Sequence, residues 1–226
     1  MNTQSAKATS FQIPFRQVDS SDSRLFEQIV LNTECHNCDM SFANIFCWQD
    51  SYKSLIAIWN GALLVRFTTD SGHTAYMQPI GCQPTREIID ALAADAEQLG
   101  EPLRLFGLNE QWIEALSTLY PGSFAISHYD SNSDYIYLAT DLAELAGRKY
   151  QPKRNFINRF TSKYNYRFTA ITADNLDHCR TLNNIWCSQK GSKSSDPEQL
   201  AVNSALENFE QLPLEGWILY VEDVPC

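Results

Sequence analysis

The sequence predicts a mixed α/β protein with mainly antiparallel sheets, built as two successive halves. Three observations carry this. Asn60-Gly61 separates two runs rich in β-branched and aromatic residues, the strongest short hairpin signal a sequence offers. Residues 85–99 place Ile88, Ile89, Leu92, Ala96 and Leu99 on one helical stripe. An acid-free basic segment, 148–167, is followed by a second strand-helix-helix-strand pattern.

The elements of the first half follow in order. Phe11 to Val18 alternates enough for a first strand. Ser20-Ser21-Asp22-Ser23 supplies caps for a helix over 24–32, with Leu25, Phe26, Ile29 and Val30 on one face. A second helix is expected over 41–52, carrying Phe42, Ile45, Phe46, Trp48 and Tyr52. Strands Leu55–Trp59 and Leu63–Thr68 flank the Asn-Gly turn, and Asp70-Ser71-Gly72 leads into Thr74–Ile80. The helix over 85–99 stops at Gly100. Pro102–Leu108 reads as a short buried strand. Asn109 caps a helix that turns Trp112, Ile113, Leu116 and Leu119 inward and ends at Pro121-Gly122. Phe124–Tyr129 and Asp134–Leu138 read as two final strands, and Asp141 as the cap of a short helix to 146.

Pro152 suits the first turn of a helix running to about 163. Beyond it, Arg167–Thr172 reads as a strand and 175–187 as a helix. Asp196-Pro197-Glu198 opens another helix to 210, and Trp217–Val221 reads as a strand. The expected organisation is a first domain over 11–145, a basic connecting helix over 146–166 and a partial second domain over 167–226. On this reading the second domain is truncated after two strands. The apolar faces of its helices (Leu182, Ile185, Trp186, Leu206, Phe209) then need cover, and either self-association through this half or poor order beyond about residue 190 is expected.

Composition narrows the function classes. Apolar content of 44% is ample for a core. No run approaches the roughly 18 apolar residues of a membrane span, so no integral membrane association is expected. Met1–Ser10 has one Lys and no apolar run, unlike a secretory leader. Seven scattered cysteines read as reduced thiols in a cytoplasmic protein, with Cys47, Cys179 and Cys187 buried. The net charge of −10 repels phosphate polymers overall, but seven of the 17 basic residues lie within 148–167.

That segment is the main functional signal. Phe156, Ile157, Phe160 and Tyr164 share one helical face, and Arg154, Asn155, Asn158, Thr161 and Ser162 spread over the other. Arg binds phosphate or carboxylate in bidentate fashion, and Asn both donates and accepts. Tyr150 and Tyr164 could stack on a base. The candidate anion- or substrate-binding set is Tyr150, Lys153, Arg154, Asn155, Asn158 and Arg159. The competing reading is a structural helix that pairs with the acidic remainder.

Other motifs are weaker. Cys35-His36-Asn37-Cys38 is half a zinc site with no second half in the sequence, so no metal is expected. Pro79-Ile80-Gly81-Cys82-Gln83-Pro84-Thr85 reads first as an ordinary strand-helix turn, second as an anion loop. Trp48, Tyr52 and Trp112 read as packing residues. His73, His128 and His178 are isolated, and no catalytic residue is assigned.

Several stretches carry a family resemblance: Tyr76-Met77-Gln78-Pro79-Ile80-Gly81, Asp134-Tyr135-Ile136-Tyr137, Leu142-Ala143-Glu144-Leu145, and above all Tyr150-Gln151-Pro152-Lys153-Arg154-Asn155-Phe156-Ile157-Asn158-Arg159-Phe160. Glu34 with Ser41–Trp48 fits the same pattern. From about 11 to 222 the chain resembles soluble proteins related to the C-terminal domain of phosphatidylglycerol lysyltransferases. The resemblance implies tandem GNAT-like (acyl-CoA N-acyltransferase-like) domains. It also implies an acyl- or aminoacyl-transferase-related function, with acyl-CoA or aminoacyl-tRNA as the phosphate-bearing co-substrate. A non-catalytic binding or regulatory module for an anionic ligand is the alternative.

Overall fold

The Asn-Gly turn sets the first sheet. In the computed structural model, which describes residues 12–30, 33, 37–130, 133–193 and 195–226, both turn residues take positive φ, 48° at Asn60 and 80° at Gly61. This is the twist that joins antiparallel strands in a two-residue loop. It fixes strand β1 (Leu55–Trp59) against β2 (Ala62–Thr68), with Leu55 opposite Arg66 and Trp59 opposite Ala62. β3 (Thr74–Met77) pairs antiparallel with β2, and β4 (Leu105–Phe106) pairs parallel with β3. Sheet order is β1-β2-β3-β4.

The helices of this half are α1 (Ser23–Val30), α2 (Phe42–Tyr52), α3 (Arg86–Gln98) and α4 (Glu110–Leu119). Ser41 and Asn109 cap α2 and α4 through their side chains. The α3 stripe is buried at Ile88, Ile89, Leu92 and Ala96, while Leu99 is exposed because the helix has ended. These residues pack with Ala57, Leu64, Tyr76, Trp112 and Leu116 into one core. Ile113, expected inside, is half-buried.

Asp95 is the buried acid of α3, and it ties three elements together. It accepts hydrogen bonds from Arg66 of β2 at 2.7 and 3.0 Å and from the Tyr76 hydroxyl of β3 at 2.5 Å. Burial, then the Asp95 bond, push the Tyr76 phenol far above its ordinary range, so it remains a donor. Arg66 also sits over the Phe15 ring at 4.4 Å.

The N-terminal strand does not form over the described residues. Arg16 makes a single bridge to Ile56, exchanging both backbone bonds. Pro14 has no N–H to extend the ladder. Arg16 instead forks onto Asp22 at 2.5 and 2.8 Å, and Asp22 closes a capping box with Asp19. The Arg16 guanidinium holds the Asp22 carboxyl below its usual range. A depressed folded-state pKa contributes stability that is full above the unfolded value, about 4, and is lost as pH falls through the folded value. Asp22→Asn should therefore lower the melting temperature at neutral pH and converge with the parent in acid. Parallel melting curves on acidification would count against this role for Asp22.

The chain divides into two compact units, Met1–His128 and Tyr129–Cys226. This groups 129–145 with the second unit, whereas the pattern had put them in the first. Phe124–Tyr129 and Asp134–Leu138, expected as strands, form none among the described residues. A strand exists only when a neighbour takes its backbone bonds, and no described edge does so here. Tyr135, Ile136, Tyr137 and Leu138 are all exposed.

The second unit holds α5 (Ala139–Glu144), α6 (Gln151–Lys163), β5 (Tyr166–Ala170), α7 (Leu176–Lys190), α8 (Pro197–Glu207), β6 (Trp217–Val221) and β7 (Val224–Pro225). Asp141, expected as a cap, lies inside α5, whose cap position is Leu138. The sheet is antiparallel, β5-β6-β7, so it has a third short strand beyond the two expected. Ile218, Tyr220, Leu176, Cys187, Ala201 and Leu212 are buried. Ile185 and Trp186 of α7 are exposed, as are Phe168 and Trp217 on β5 and β6.

Of the thiols, Cys187 is buried and donates to Gln199 Oε1, while Cys47 and Cys179 are only half-buried. The first half of the C-x-x-C motif, with Cys35 and His36, lies outside the described residues. So does Glu34. Among the described residues no group of three or more His, Cys, Asp or Glu could hold a metal, and no helix is long and apolar enough to cross a membrane.

Candidate functional site

The basic segment folds as a turn, Arg148–Tyr150, followed by α6 with Pro152 in its first turn. Its residues divide by what they touch. Tyr150 is buried, and its hydroxyl donates to Asp141 Oδ2 at 3.2 Å. Lys149 donates to the same oxygen at 3.0 Å and lies over the Tyr150 ring. That contact lowers the Asp141 carboxyl below its usual range and raises the Lys149 ammonium. Arg154 folds back onto the end of α5, donating to the Leu145 carbonyl and to the Gly147 carbonyl at 2.9 Å, and to Gln151 Oε1 at 2.5 Å. It serves the orphan carbonyls that a helix end leaves. Arg167 donates to Thr169 and reaches Asp223 at 3.4 Å, over the Tyr220 ring.

The rest of the segment faces outward. Lys153, Asn155, Asn158 and Arg159 are exposed. Asn155 accepts from Gln151 Nε2 at 2.7 Å, and Arg159 lies over the Phe156 ring at 5.3 Å. Among the described residues Arg148, Lys153, Arg159 and Lys163 form no ion pair. Lys153 borders a shallow groove of about 440 Å³ floored by Leu145, Pro152, Phe156 and Ile157. Of the apolar residues placed on one helical face, Phe156 and Ile157 are exposed, and Phe160 packs against Tyr164 and Tyr166. Arg154 and Tyr150 therefore shape the turn, and the cations without a described ion pair lie on the outer helix and, for Arg148, in the turn before it.

The first unit carries a different cavity, of about 770 Å³, at the ends of β3 and β4. Parallel neighbours end at the same edge, so the loop after β3 and the start of α4 meet there. Gln78, Gly81, Cys82, Gln83, Asn109 and Gln111 are among its lining residues. Gly81 has φ 84°, and a Cβ on it would stand 2.9 Å from Ile29 Cγ2 and 3.3 Å from the Gly61 carbonyl. Only glycine lets α1 and the hairpin turn approach this loop. Burial pushes the Cys82 thiol up to about 11, which keeps it protonated and unreactive near neutral pH. From sequence, 79–85 reads first as a plain turn and second as an anion loop. The overlooked signal is the repetition of Gln and Asn after two successive strands.

The chain matches the family described as "Phosphatidylglycerol lysyltransferase, C-terminal" over residues 32–226. It belongs to that family. The matched range takes in the second unit of this lysyltransferase C-terminal family member with its basic segment, and the first unit from residue 32 on, with most of the residues that line the cavity. Among solved structures it is similar to a conserved protein of unknown function from Bacteroides thetaiotaomicron VPI-5482. The two are 32% identical with a TM-score of 0.89, over 95% of this chain and 73% of that one. No match is found among curated proteins.

Proposed function

We propose that this family member is an acyl- or aminoacyl-transferase-related protein with tandem GNAT-like units, using the exposed face of α6 to hold a phosphate-bearing donor. The carrying observation is an acid-free helix whose Lys153 and Arg159 form no described ion pair in a chain of net charge −10. Family membership over 32–226 supports the transfer class. Arg148, Lys153, Asn158, Arg159 and Lys163 are the phosphate contacts in this reading. Asn155 assists, and Tyr150 and Arg154 hold the turn in shape. In such chemistry the protein orients an amine against an activated ester and stabilises the oxyanion. The donor is acyl-CoA or aminoacyl-tRNA.

The satisfied state of Lys149, Arg154 and Arg167 favours a second reading, a regulatory module that binds an anionic ligand without turnover. A thermal-shift panel of acyl-CoAs, nucleotides and charged tRNA tests both. A donor at hundredfold excess over its Kd should stabilise by about 3 kcal/mol. Lys153→Glu with Arg159→Glu should abolish that gain and leave the ligand-free melting temperature unchanged. Binding without transfer to any amine selects the regulatory module. No shift with any phosphate-bearing ligand sinks both readings.

A further inference from the structure

We infer that the cavity between the ends of β3 and β4 binds the carbonyl or carboxylate oxygens of an amino-acid- or short-peptide-sized ligand. The argument starts from which amide atoms are already used. The Asn109 backbone N–H donates to Gln78 Oε1 at 2.7 Å. The Trp112 backbone N–H donates to Asn109 Oδ1 at 3.0 Å. A backbone N–H can only donate, so the oxygen of each side chain is fixed and neither amide can be flipped. The NH₂ groups of Gln78 and Asn109 donate to no described protein atom and are left to the cavity these residues line.

Gln111 Nε2 donates to Gln83 Oε1 at 2.6 Å. Turning both amides reverses that bond but still leaves one NH₂ and one oxygen over. The fixed part of the surface therefore offers hydrogen-bond donors. No charged side chain is present among the described lining residues. Neutral donors suit sp² oxygens, which accept two hydrogen bonds each, and can hold a single carboxylate. Pyrophosphate sites commonly add cations to backbone N–H groups, and no charged side chain is described among the lining residues here. The volume of about 770 Å³ is that of a small-ligand site. This site lies within the first unit and is independent of the reading of α6.

Two isosteric substitutions isolate the donors. Gln78→Glu keeps the oxygen that accepts from Asn109, and Asn109→Asp keeps a good helix cap. Each replaces the free NH₂ by a carboxylate oxygen that repels another acceptor. The full-length chain, labelled with ¹⁵N, is titrated with N-acetyl-L-alanine amide, N-acetyl-L-alanine and inorganic pyrophosphate at millimolar concentration. The expected result is a saturable shift of the Gln78 and Asn109 side-chain resonances with one or both alanine derivatives. The tighter of the two tells a carbonyl ligand from a carboxylate. Each variant should lose at least about tenfold in affinity, with a melting temperature within a few degrees of the parent. Tighter binding of pyrophosphate at this cavity, no saturable shift with either derivative, or unchanged affinity in both folded variants would overturn the inference.

Discussion

Asp95→Ala should destabilise the first unit by about 3–5 kcal/mol, the loss typical when one partner of a buried charge pair is removed. Asp95 is 5% exposed, and its two oxygens take up Arg66 and the Tyr76 hydroxyl. Without it, a mostly buried guanidinium and a fully buried phenol lose their acceptor together. The Phe15 ring lies against both, and it and the apolar side chains of the surrounding core offer no such acceptor. Asp95→Asn keeps one acceptor and should lose less. Urea unfolding followed by tryptophan fluorescence reads both. A loss below about 1 kcal/mol for the alanine variant would show that water replaces the carboxylate, as at a surface pair.

Trp112→Ala should lower stability by about 3–5 kcal/mol, whereas Ile113→Ala, one residue on, should lose about 1–2. Helical geometry separates the two by about 100°. Trp112 is 2% exposed and belongs to the same buried core as Ile88, Leu92 and Leu116. Ile113 lies at the margin of the same helix. The contrast is the informative quantity, because both substitutions share helix, cap and backbone. Equal losses would mean that α4 is held by its whole circumference, and that the core boundary lies elsewhere.

The first unit was legible wherever one signal was local and strong. The Asn60-Gly61 turn, the α3 stripe and the cap at Asn109 are short-range instructions, and the elements lie where they direct. What failed is non-local. Phe124–Tyr129 and Asp134–Leu138 have strand composition, but composition does not supply a partner. Asp95 could not be picked from the sequence, because its partners lie 19 and 29 residues away on two other strands. In the basic segment, charge was readable and pairing was not. Arg154 and Arg159 look alike in sequence, yet one is folded onto carbonyls and the other lies outside on Phe156. The amide cavity was hidden for a similar reason. Neutral residues carry no compositional flag, and their donors became visible only once their oxygens were seen to be occupied.

The pairing of β5 with β6 bears on the order in which this protein is made. β1 finds its partner across two residues, so that hairpin can close as soon as it leaves the ribosome. β5 ends at Ala170 and β6 begins at Trp217, with α7 and α8 between them. Closing 46 residues rather than two adds about 3 kcal/mol of loop entropy. During synthesis at about 5–20 residues per second, the β5 backbone waits several seconds for its complement. The second unit is thus the late-forming one, and the interval before β6 emerges is when the nascent chain most needs a chaperone.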